Sequence, residues 1–514
     1  MRSKKNYLIL SILAIAAIFF INGNLLAAEE TPVRGGTLKV GWTAQCKTLD
    51  PHKSVQLSER YVLYTIFNTL VGLDEKFNIV PELARSWENP DPKTFVFNLR
   101  ENVKFHDGTA FDAAAVKWNL ERIMDPEFAS PQRKMVEPYL DSIEVLGKYK
   151  VAIHLKTPYA PFLSLIAERP GFIVSPAAVK KYGDKKFALN PVGTGPFKFD
   201  QWMMQSKLTV SRFDDFWGKS EGKPYLDKIE FLEVPDGVIR HTMLKAGTVD
   251  IITDINPKQA AEIKKEGKFK LIRMPPARWR AMQWRLDKEP FSNRAFREAV
   301  AYGIDREAIN QTLFYGEGIP SVGPVVPGLW WYEDEFQGYN YNPELAKKKL
   351  AEAGYPDGIT RKFYVTNRQD NIQLAEMIKS QLAEIGINQE LVMVNAAESY
   401  SRMLTGESDW ADPRWTQRSD PHGLLYILFH SKGHANSTKY SNPEVDKLLD
   451  EASVIYDQQK RKELYFKALR IITMDAPYVF VINVPEWAAM KPEVHGFKWI
   501  PDLIPRYSYL WKTN

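Results

Sequence analysis

The chain has 514 residues, of which 44% are hydrophobic, with 68 Lys and Arg against 63 Asp and Glu. Charge this close to balance gives no support to nucleic-acid binding, which needs a basic face or stripe. Its single cysteine, Cys46, excludes an intrachain disulfide, so stability must come from a buried core. A soluble chain of this length predicts roughly two to four domains.

The N-terminus has the composition of a secretory leader. Three Lys and Arg residues precede an apolar run over residues 7–21, and Ala27 and Ala28 follow it. This run is shorter than the roughly 20 residues of a membrane span. We expect cleavage after residues 1–28; an uncleaved membrane anchor is the alternative. Cys46 lies too far beyond the apolar run for a lipoprotein attachment site.

Strands dominate the first half of the chain, and the stretch Thr94–Asp125 is its most informative part. Apolar residues alternate from Phe95 to Leu99, the period of a half-buried strand. Asp107-Gly108 is a turn dipeptide. Asp112 then precedes apolar residues at helical spacing, so its carboxylate is predicted to cap a helix.

Helices and strands alternate from residue 290 onward. Asn342-Pro343 and Asn442-Pro443 each place a capping residue before a proline in the first helical turn. Gln373–Glu384 is amphipathic, and a strand follows at Leu391–Val394. This alternation predicts α/β units around a largely parallel sheet.

The block Thr94–Asp125 resembles the signature region of the family 5 extracellular solute-binding proteins, the periplasmic peptide- and nickel-type receptors of ABC importers. Further blocks similar to the family follow in order over residues 190–202, 225–236, 244–251, 291–309 and 341–358. The resemblance therefore extends over most of the chain beyond the leader.

This resemblance implies an α/β, two-lobed periplasmic binding protein (type II-like, Venus-flytrap) with an extra inserted domain. The implied domains are lobe I (29–78, 190–288 and 486–514), inserted domain II (79–189) and lobe III (289–485). It also implies a monomeric periplasmic receptor that captures a peptide or peptide-like solute and delivers it to ABC permease subunits. No cofactor, metal, nucleic acid or chemistry on the solute is expected.

In the family, the segment corresponding to Arg414–Gly423 lines the ligand cleft. Peptide-type receptors have an aspartate here that pairs with the ligand's amine, whereas this chain has Gln417 and Arg418. Because a guanidinium repels an ammonium and holds a carboxylate bidentately, Arg418 predicts an anionic ligand. Asp420 is a further candidate; the alternative is an Asp420–Arg418 pair that touches no ligand.

Other candidates follow from the same resemblance. Arg368 falls where dipeptide-type receptors place a carboxylate-binding arginine, and Arg285 replaces an asparagine common in the family. The candidates for the walls of the cleft are Trp42, Cys46, Trp284 and Trp415. Surface solvation is the alternative for each arginine, and core packing is the alternative for the tryptophans. Opines, acyl conjugates, glutathione-like molecules and metal chelates are anionic solutes that would fit.

Two other functions stay open. Gly218–Gly222 fits the G-x-S-x-G pattern of a hydrolase around Ser220, but its polar surroundings favour a surface turn. A hydrolase could also use a carboxylate pair, which sequence cannot reveal. His422, His430 and His434 could bind a metal, as a nickel-chelate receptor would require, although we expect a solvated or pocket-lining role.

Overall fold

The computed structural model describes residues 31–43, 46–405 and 414–513. The predicted leader lies outside this part of the chain. Across the residues that are described, we find no helix with both the length and the apolar character needed to cross a membrane.

Strands and helices are interspersed along the whole described part of the chain. The strands are β1 (Thr37–Trp42), β2 (Val71–Leu73), β3 (Ile79–Pro81), β4 (Ala84–Asp91), β5 (Thr94–Leu99), β6 (Leu140–Gly147), β7 (Lys150–Leu155), β8 (Phe197–Met203), β9 (Lys207–Arg212), β10 (Lys228–Glu233), β11 (Ile251–Thr253), β12 (Lys270–Gln283), β13 (Ile319–Pro320), β14 (Ile359–Thr366), β15 (Ile387–Val394), β16 (Arg414–Thr416), β17 (Tyr478–Met490), β18 (Val494–His495) and β19 (Trp511–Lys512). The α-helices are α1 (Leu57–Ile66), α2 (Ala113–Met124), α3 (Arg133–Val136), α4 (Phe162–Ile166), α5 (Pro176–Phe187), α6 (Gly237–Lys245), α7 (Pro257–Glu266), α8 (Arg294–Tyr302), α9 (Arg306–Leu313), α10 (Pro343–Glu352), α11 (Gln369–Ala383), α12 (Ala396–Thr405), α13 (His422–Phe429), α14 (Pro443–Val454) and α15 (Gln458–Asp475).

The largest sheet of the described residues has nine strands in the order β16-β12-β17-β11-β1-β10-β9-β8, with β13 also paired to β17. Strand β1 pairs in parallel with β10 and β11. The long strands β12 and β17 run antiparallel along each other. The largely parallel sheet predicted for the second half of the chain is therefore wrong. In that half of the chain, β14 and β15 pair in parallel. By contrast, β12 pairs antiparallel with both β16 and β17, and β13 pairs antiparallel with β17.

A separate four-stranded antiparallel sheet has the order β4-β5-β7-β6. Helix α2 contributes to the hydrophobic core under it, where Phe97, Val116 and Ile153 are fully buried. The predicted cap is confirmed, since the Asp112 carboxylate accepts a hydrogen bond from Ala115 N at 3.0 Å. This sheet lies within residues 79–189, but the domain boundaries themselves stay a prediction.

The asparagine caps predicted in the second half are also confirmed. The Asn342 side chain accepts a hydrogen bond from Leu345 N at 2.9 Å at the start of α10. The Asn442 side chain accepts one from Glu444 N at 3.0 Å at the start of α14. In each helix proline occupies the first turn, where its missing N–H has no helical partner to lose.

The glycines of the loop at 190–196 are required by close packing against the end of α1. A Cβ on Gly193 or on Gly195 would overlap the backbone of Ile66. The Gly195 N–H donates to Ile66 O at 2.8 Å, which fixes the loop there. These family-like glycines are therefore part of the architecture rather than of a ligand site.

Two buried histidines are held in the neutral state. The His52 Nε2–H donates to Phe172 O at 2.9 Å, while its Nδ1 accepts from Arg122 Nη1 at 3.1 Å. The His106 Nε2–H donates to Gly195 O at 2.9 Å. Burial lowers the pKa of each of these imidazoles to about 4.

We expect the free energy of unfolding to fall as the pH is lowered from 7 to 4. The folded pKa lies below the unfolded value, so the unfolded chain takes up protons that the folded chain excludes. The free energy of unfolding therefore decreases between about pH 6.5 and pH 4, and each histidine contributes about 2–3 kcal/mol to this decrease. Urea denaturation at a series of pH values measures this slope.

Histidine variants separate the contribution of these histidines to the pH dependence of stability from that of the carboxylates. His106→Gln is expected to flatten the slope, whereas His154→Gln, at a partly exposed sheet position, is expected to keep it. Identical slopes for the wild type and both variants would contradict this assignment.

Candidate ligand-binding site

The segment that follows residue 413 leaves the edge of the nine-stranded sheet. Strand β16 pairs antiparallel with residues 278–280 of β12. The Gln417 N–H then donates to Ala277 O at 2.9 Å, which extends the backbone pairing by one residue. Arg418 is the first residue beyond this pairing.

Arg418 meets a buried glutamate from the first half of the chain. Its Nε lies 3.5 Å from Glu168 Oε1, and Arg60 Nη1 lies 4.0 Å from Glu168 Oε2. We call Arg60, Glu168, Arg169 and Arg418 the Glu168 junction. It joins helix α1, the turn after α4 and the segment after β16, which the domain boundaries predicted from the family resemblance place in three different domains.

A tight turn places Glu168 next to helix α1. Residues 169–171 form a 3₁₀ turn, and a Cβ on Gly171 would overlap the Ile166 carbonyl at the end of α4. Arg169 anchors the turn, because its Nη2 donates to Gln56 O at 2.8 Å and to Val55 O at 3.3 Å just before α1.

The junction is electrostatically positive around one carboxylate. Burial raises the pKa of Glu168, but Arg418, Arg60 and Arg169 outweigh burial, so the net pKa is lowered and the carboxylate is ionised. Burial and the neighbouring Arg60 lower the pKa of Arg169 to about 9, although Glu168 partly opposes them. Burial of the guanidinium is the largest cause of this lowering, and the positive charges of Arg60 and Arg418 add to it.

The nearby carboxylates are already in use. Asp502 pairs with Arg60 at 3.1 Å and with Arg506 at 2.8 Å. The Glu59 carboxylate accepts hydrogen bonds from one hydroxyl and three backbone N–H groups. Within the described part of the chain, Arg418 Nη1 and Nη2 donate no hydrogen bond. The junction therefore offers free guanidinium donors, the chemistry that binds a carboxylate.

The same segment holds two buried polar atoms that lack a hydrogen-bond partner in the described part of the chain. Trp415 is half-buried and pairs across the sheet with Trp279. Trp415 Nε1 and Gln417 Oε1 are buried and have no hydrogen-bond partner among the described residues, although Gln417 Nε2 donates to Pro324 O at 3.3 Å.

Arg368 lies in a different cluster. Its side chain is 58% exposed, and its Nε lies 3.2 Å from Asp370 Oδ1. Arg414 also binds Asp370, with 2.5 Å between Nη2 and Oδ2. Burial raises the pKa of Asp370, but Arg414 and the other arginines outweigh it and lower the pKa well below its usual range. Arg285 likewise pairs with a neighbour, with its Nε 2.8 Å from Asp287 Oδ1.

The predicted cleft-wall residues other than Trp415 are packed within the protein. Trp42 is 1% exposed, and its indole N–H donates to Ser58 O at 2.9 Å. Trp284 is 2% exposed and stacks on Phe291. The Cys46 thiol donates to Thr48 O, and burial raises its pKa. The two tryptophans pack in hydrophobic cores, and Cys46 packs against the edge of one.

Asp420 pairs with a residue other than Arg418. Its two oxygens lie 2.7 and 2.8 Å from the Nη1 and Nη2 of Arg461 on α15. Its Oδ1 also accepts from the His422 N–H at 3.0 Å at the start of α13. The alternative Asp420–Arg418 pair is therefore wrong, because each residue has a different partner.

Two of the histidines behind the metal alternative lie close together, whereas Ser220 lies on a separate surface turn. His422 and His430 each pack against the Tyr426 ring, with centroids 4.8 and 4.2 Å away. Among the residues described, no group of three or more His, Cys, Asp or Glu side chains is arranged to hold a metal ion. Ser220 is exposed on the 3₁₀ turn Trp217–Glu221, the surface turn that its polar surroundings favour.

Sequence reasoning missed Arg60, Glu168 and Arg169. One signal was present: Glu168-Arg169 interrupts an otherwise apolar run over 159–174 and precedes Pro170-Gly171. Two opposite charges before a turn in such a run indicate a buried ion pair. Nothing in the sequence links that turn to Arg418, 249 positions further on.

Known proteins resemble this chain along almost its whole length. Residues 78–436 match the bacterial extracellular solute-binding proteins, family 5 (middle region). The glutathione-binding protein GsiB of Salmonella paratyphi A is 31% identical over 499 residues, covering 93% of each chain. The chain belongs to family 5 of the bacterial extracellular solute-binding proteins.

Solved structures agree with this membership. The binding protein AgaA of A. tumefaciens R10, in complex with agropinic acid, has a TM-score of 0.81 and 32% identity, covering 93% of this chain and 99% of its own. The periplasmic binding protein DppA of Helicobacter pylori, in complex with the peptide STSA, has a TM-score of 0.84 and 27% identity over 94% and 99% of the two chains. The protein is thus a two-lobed solute-binding receptor of the kind that serves ABC importers, in a periplasmic family of transport receptors.

The Asp420–Arg461 pair is expected to hold this receptor's fold. Asp420→Asn leaves a buried guanidinium without its charged partner, so it should lower the free energy of unfolding by about 3–5 kcal/mol. Chemical denaturation measures this loss.

The matched control is Asp287→Asn, which breaks the more exposed pair with Arg285 and is expected to cost under about 1 kcal/mol. Wild-type stability of the Asp420 variant would show that the buried pair does not support the fold.

Proposed function

We propose that this receptor captures an anionic, peptide-like solute and holds a ligand carboxylate on Arg418, with Arg169 beside it. The observation that carries the proposal is the Glu168 junction. Its arginines outnumber its carboxylates, and Arg418 keeps two donor nitrogens without a hydrogen bond in the described residues. A carboxylate would supply both the negative charge and the acceptor atoms that this site lacks.

The named ligands of related proteins support this class of solute. The GsiB proteins are glutathione-binding proteins, and AgaA was solved with agropinic acid. Glutathione is a tripeptide with two carboxylates, so it combines peptide groups with negative charge. A glutathione-like solute would place one of its carboxylates on Arg418.

Capture follows from hinge closure. The junction residues come from the predicted lobe I, inserted domain and lobe III, so a ligand that contacts all of them favours the closed arrangement. After cleavage of the leader, the receptor acts as a periplasmic monomer that hands the unaltered solute to the permease. Asp420 does not contact the solute; its ion pair with Arg461 holds the segment after β16 in place.

The direct test is Arg418→Gln, which keeps a polar side chain but removes the charge. Loss of a charge-assisted hydrogen bond should weaken glutathione binding roughly 10- to 100-fold. Isothermal titration calorimetry with reduced glutathione measures the dissociation constant.

The control is Arg470→Gln, which disrupts an exposed Arg–Glu pair on α15 and should change binding by less than about threefold. If Arg418→Gln binds like the wild type while Arg368→Gln loses binding, the carboxylate lies at the Asp370 cluster and the proposal is wrong.

A further inference from the structure

A backbone hydrogen bond joins the predicted inserted domain to the end of a helix in the predicted lobe III. The Ala160 N–H donates to Ser453 O at 2.8 Å, in the last turn of α14. The last carbonyl groups of a helix have no partner within the helix itself. An N–H group from residues 79–189 thus completes the end of a helix that belongs to residues 289–485.

Tyr456, two residues beyond α14, makes a second contact between the same parts of the chain. Its hydroxyl donates to Pro92 O at 2.8 Å, in the turn between β4 and β5. Its ring centroid lies 6.3 Å from that of Phe95 on β5. Because Tyr456 is still 41% exposed, separating this contact would uncover little additional apolar surface.

Aromatic rings make the third contact. Tyr159 stacks on Tyr139 with centroids 3.6 Å apart, and it meets the His422 ring edge-on at 5.5 Å. His422 is the first residue of α13 and lies four positions after Arg418. The inserted domain therefore packs against the segment that carries Arg418 through residues that are not proposed to bind the solute.

The path of the chain allows these contacts to open. Residues 79–189 are connected at both ends to the predicted lobe I, and so are residues 289–485. Since no stretch of chain links the inserted domain directly to lobe III, a hinge rotation of lobe III away from lobe I would separate them. Two hydrogen bonds and a few ring contacts form a small, partly polar interface of the kind that domain motion can break.

We propose that these contacts form a latch between the inserted domain and lobe III that stabilises the closed receptor. The latch consists of Pro92, Tyr159, Ala160, His422, Ser453 and Tyr456. Because the latch does not contact the solute, it favours the closed state of the empty and the loaded receptor equally. It therefore raises the closed fraction before a solute arrives and lowers the dissociation constant of different solutes by the same factor. This inference goes beyond the proposed solute class and does not depend on it.

A disulfide across the latch tests whether the contact opens. The variant carries Ala160→Cys and Ser453→Cys in a Cys46→Ala background, which removes the single native thiol. A backbone hydrogen bond keeps two Cα atoms roughly 5–6 Å apart, a separation that a disulfide can bridge. We expect the oxidised, solute-free receptor to have a smaller radius of gyration in small-angle X-ray scattering than the same protein after reduction.

Equal radii of gyration in the two states would mean that the contact is permanent, and would overturn the latch. Failure of the disulfide to form would show that the contact is not made in solution, with the same consequence.

Tyr456→Phe tests the contribution of the latch to affinity, because it keeps the ring and removes one hydrogen bond. Reduced glutathione and S-methylglutathione should each bind roughly three- to tenfold more weakly, by the same factor, in isothermal titration calorimetry. The matched control is Tyr225→Phe, which loses a hydroxyl–carbonyl hydrogen bond to Glu221 within one turn. Its affinity should stay within about twofold of the wild type.

Wild-type affinity in Tyr456→Phe would contradict the latch. A loss that differs more than about threefold between the two solutes would place Tyr456 on the solute instead, and would contradict it as well. If the wild type binds neither solute, the proposed function is wrong, and the scattering comparison still decides for or against the latch.

Discussion

The ionised carboxylate of Glu168, buried among Arg60, Arg169 and Arg418, is the interaction on which the arrangement of the candidate site depends. Removing a charge from water is costly, and three guanidinium groups offset that cost here. The carboxylate holds together three segments that are far apart in the sequence. Because these arginines outnumber it, the same arrangement leaves positive charge for a solute to neutralise.

Other contacts bring the same parts of the chain together outside the junction. Ala160 N donates to Ser453 O at 2.8 Å, and the Tyr456 hydroxyl donates to Pro92 O at 2.8 Å. The Tyr159 ring also meets His422 edge-on. Residues of the predicted inserted domain (79–189) thus contact the later half of the chain directly. A receptor that closes around its solute would make these contacts part of the closure equilibrium, together with those of the ligand.

Local signals in the sequence predict local structure well. The caps at Asp112, Asn342 and Asn442 depend only on the residue and its own helix, and all three are confirmed. The largely parallel sheet was wrong because strand direction depends on how distant segments pair, which the alternation of helices and strands does not encode. Family membership and the two-lobed fold followed from several ordered blocks, each of which is weak by itself.

The candidate site was only partly visible for the same reason. Arg418 stood out as a charge reversal within one segment, but its partner Glu168 comes from a turn that nothing in the sequence connects to it. Arg368 and Arg285 have local carboxylate partners two residues away, Asp370 and Asp287.

The most direct test is a crystal structure of the receptor with glutathione bound. We predict a ligand carboxylate within about 3 Å of an Arg418 Nη atom; a ligand anchored on Arg368 or Arg285, with Arg418 still on Glu168, would contradict the proposed site.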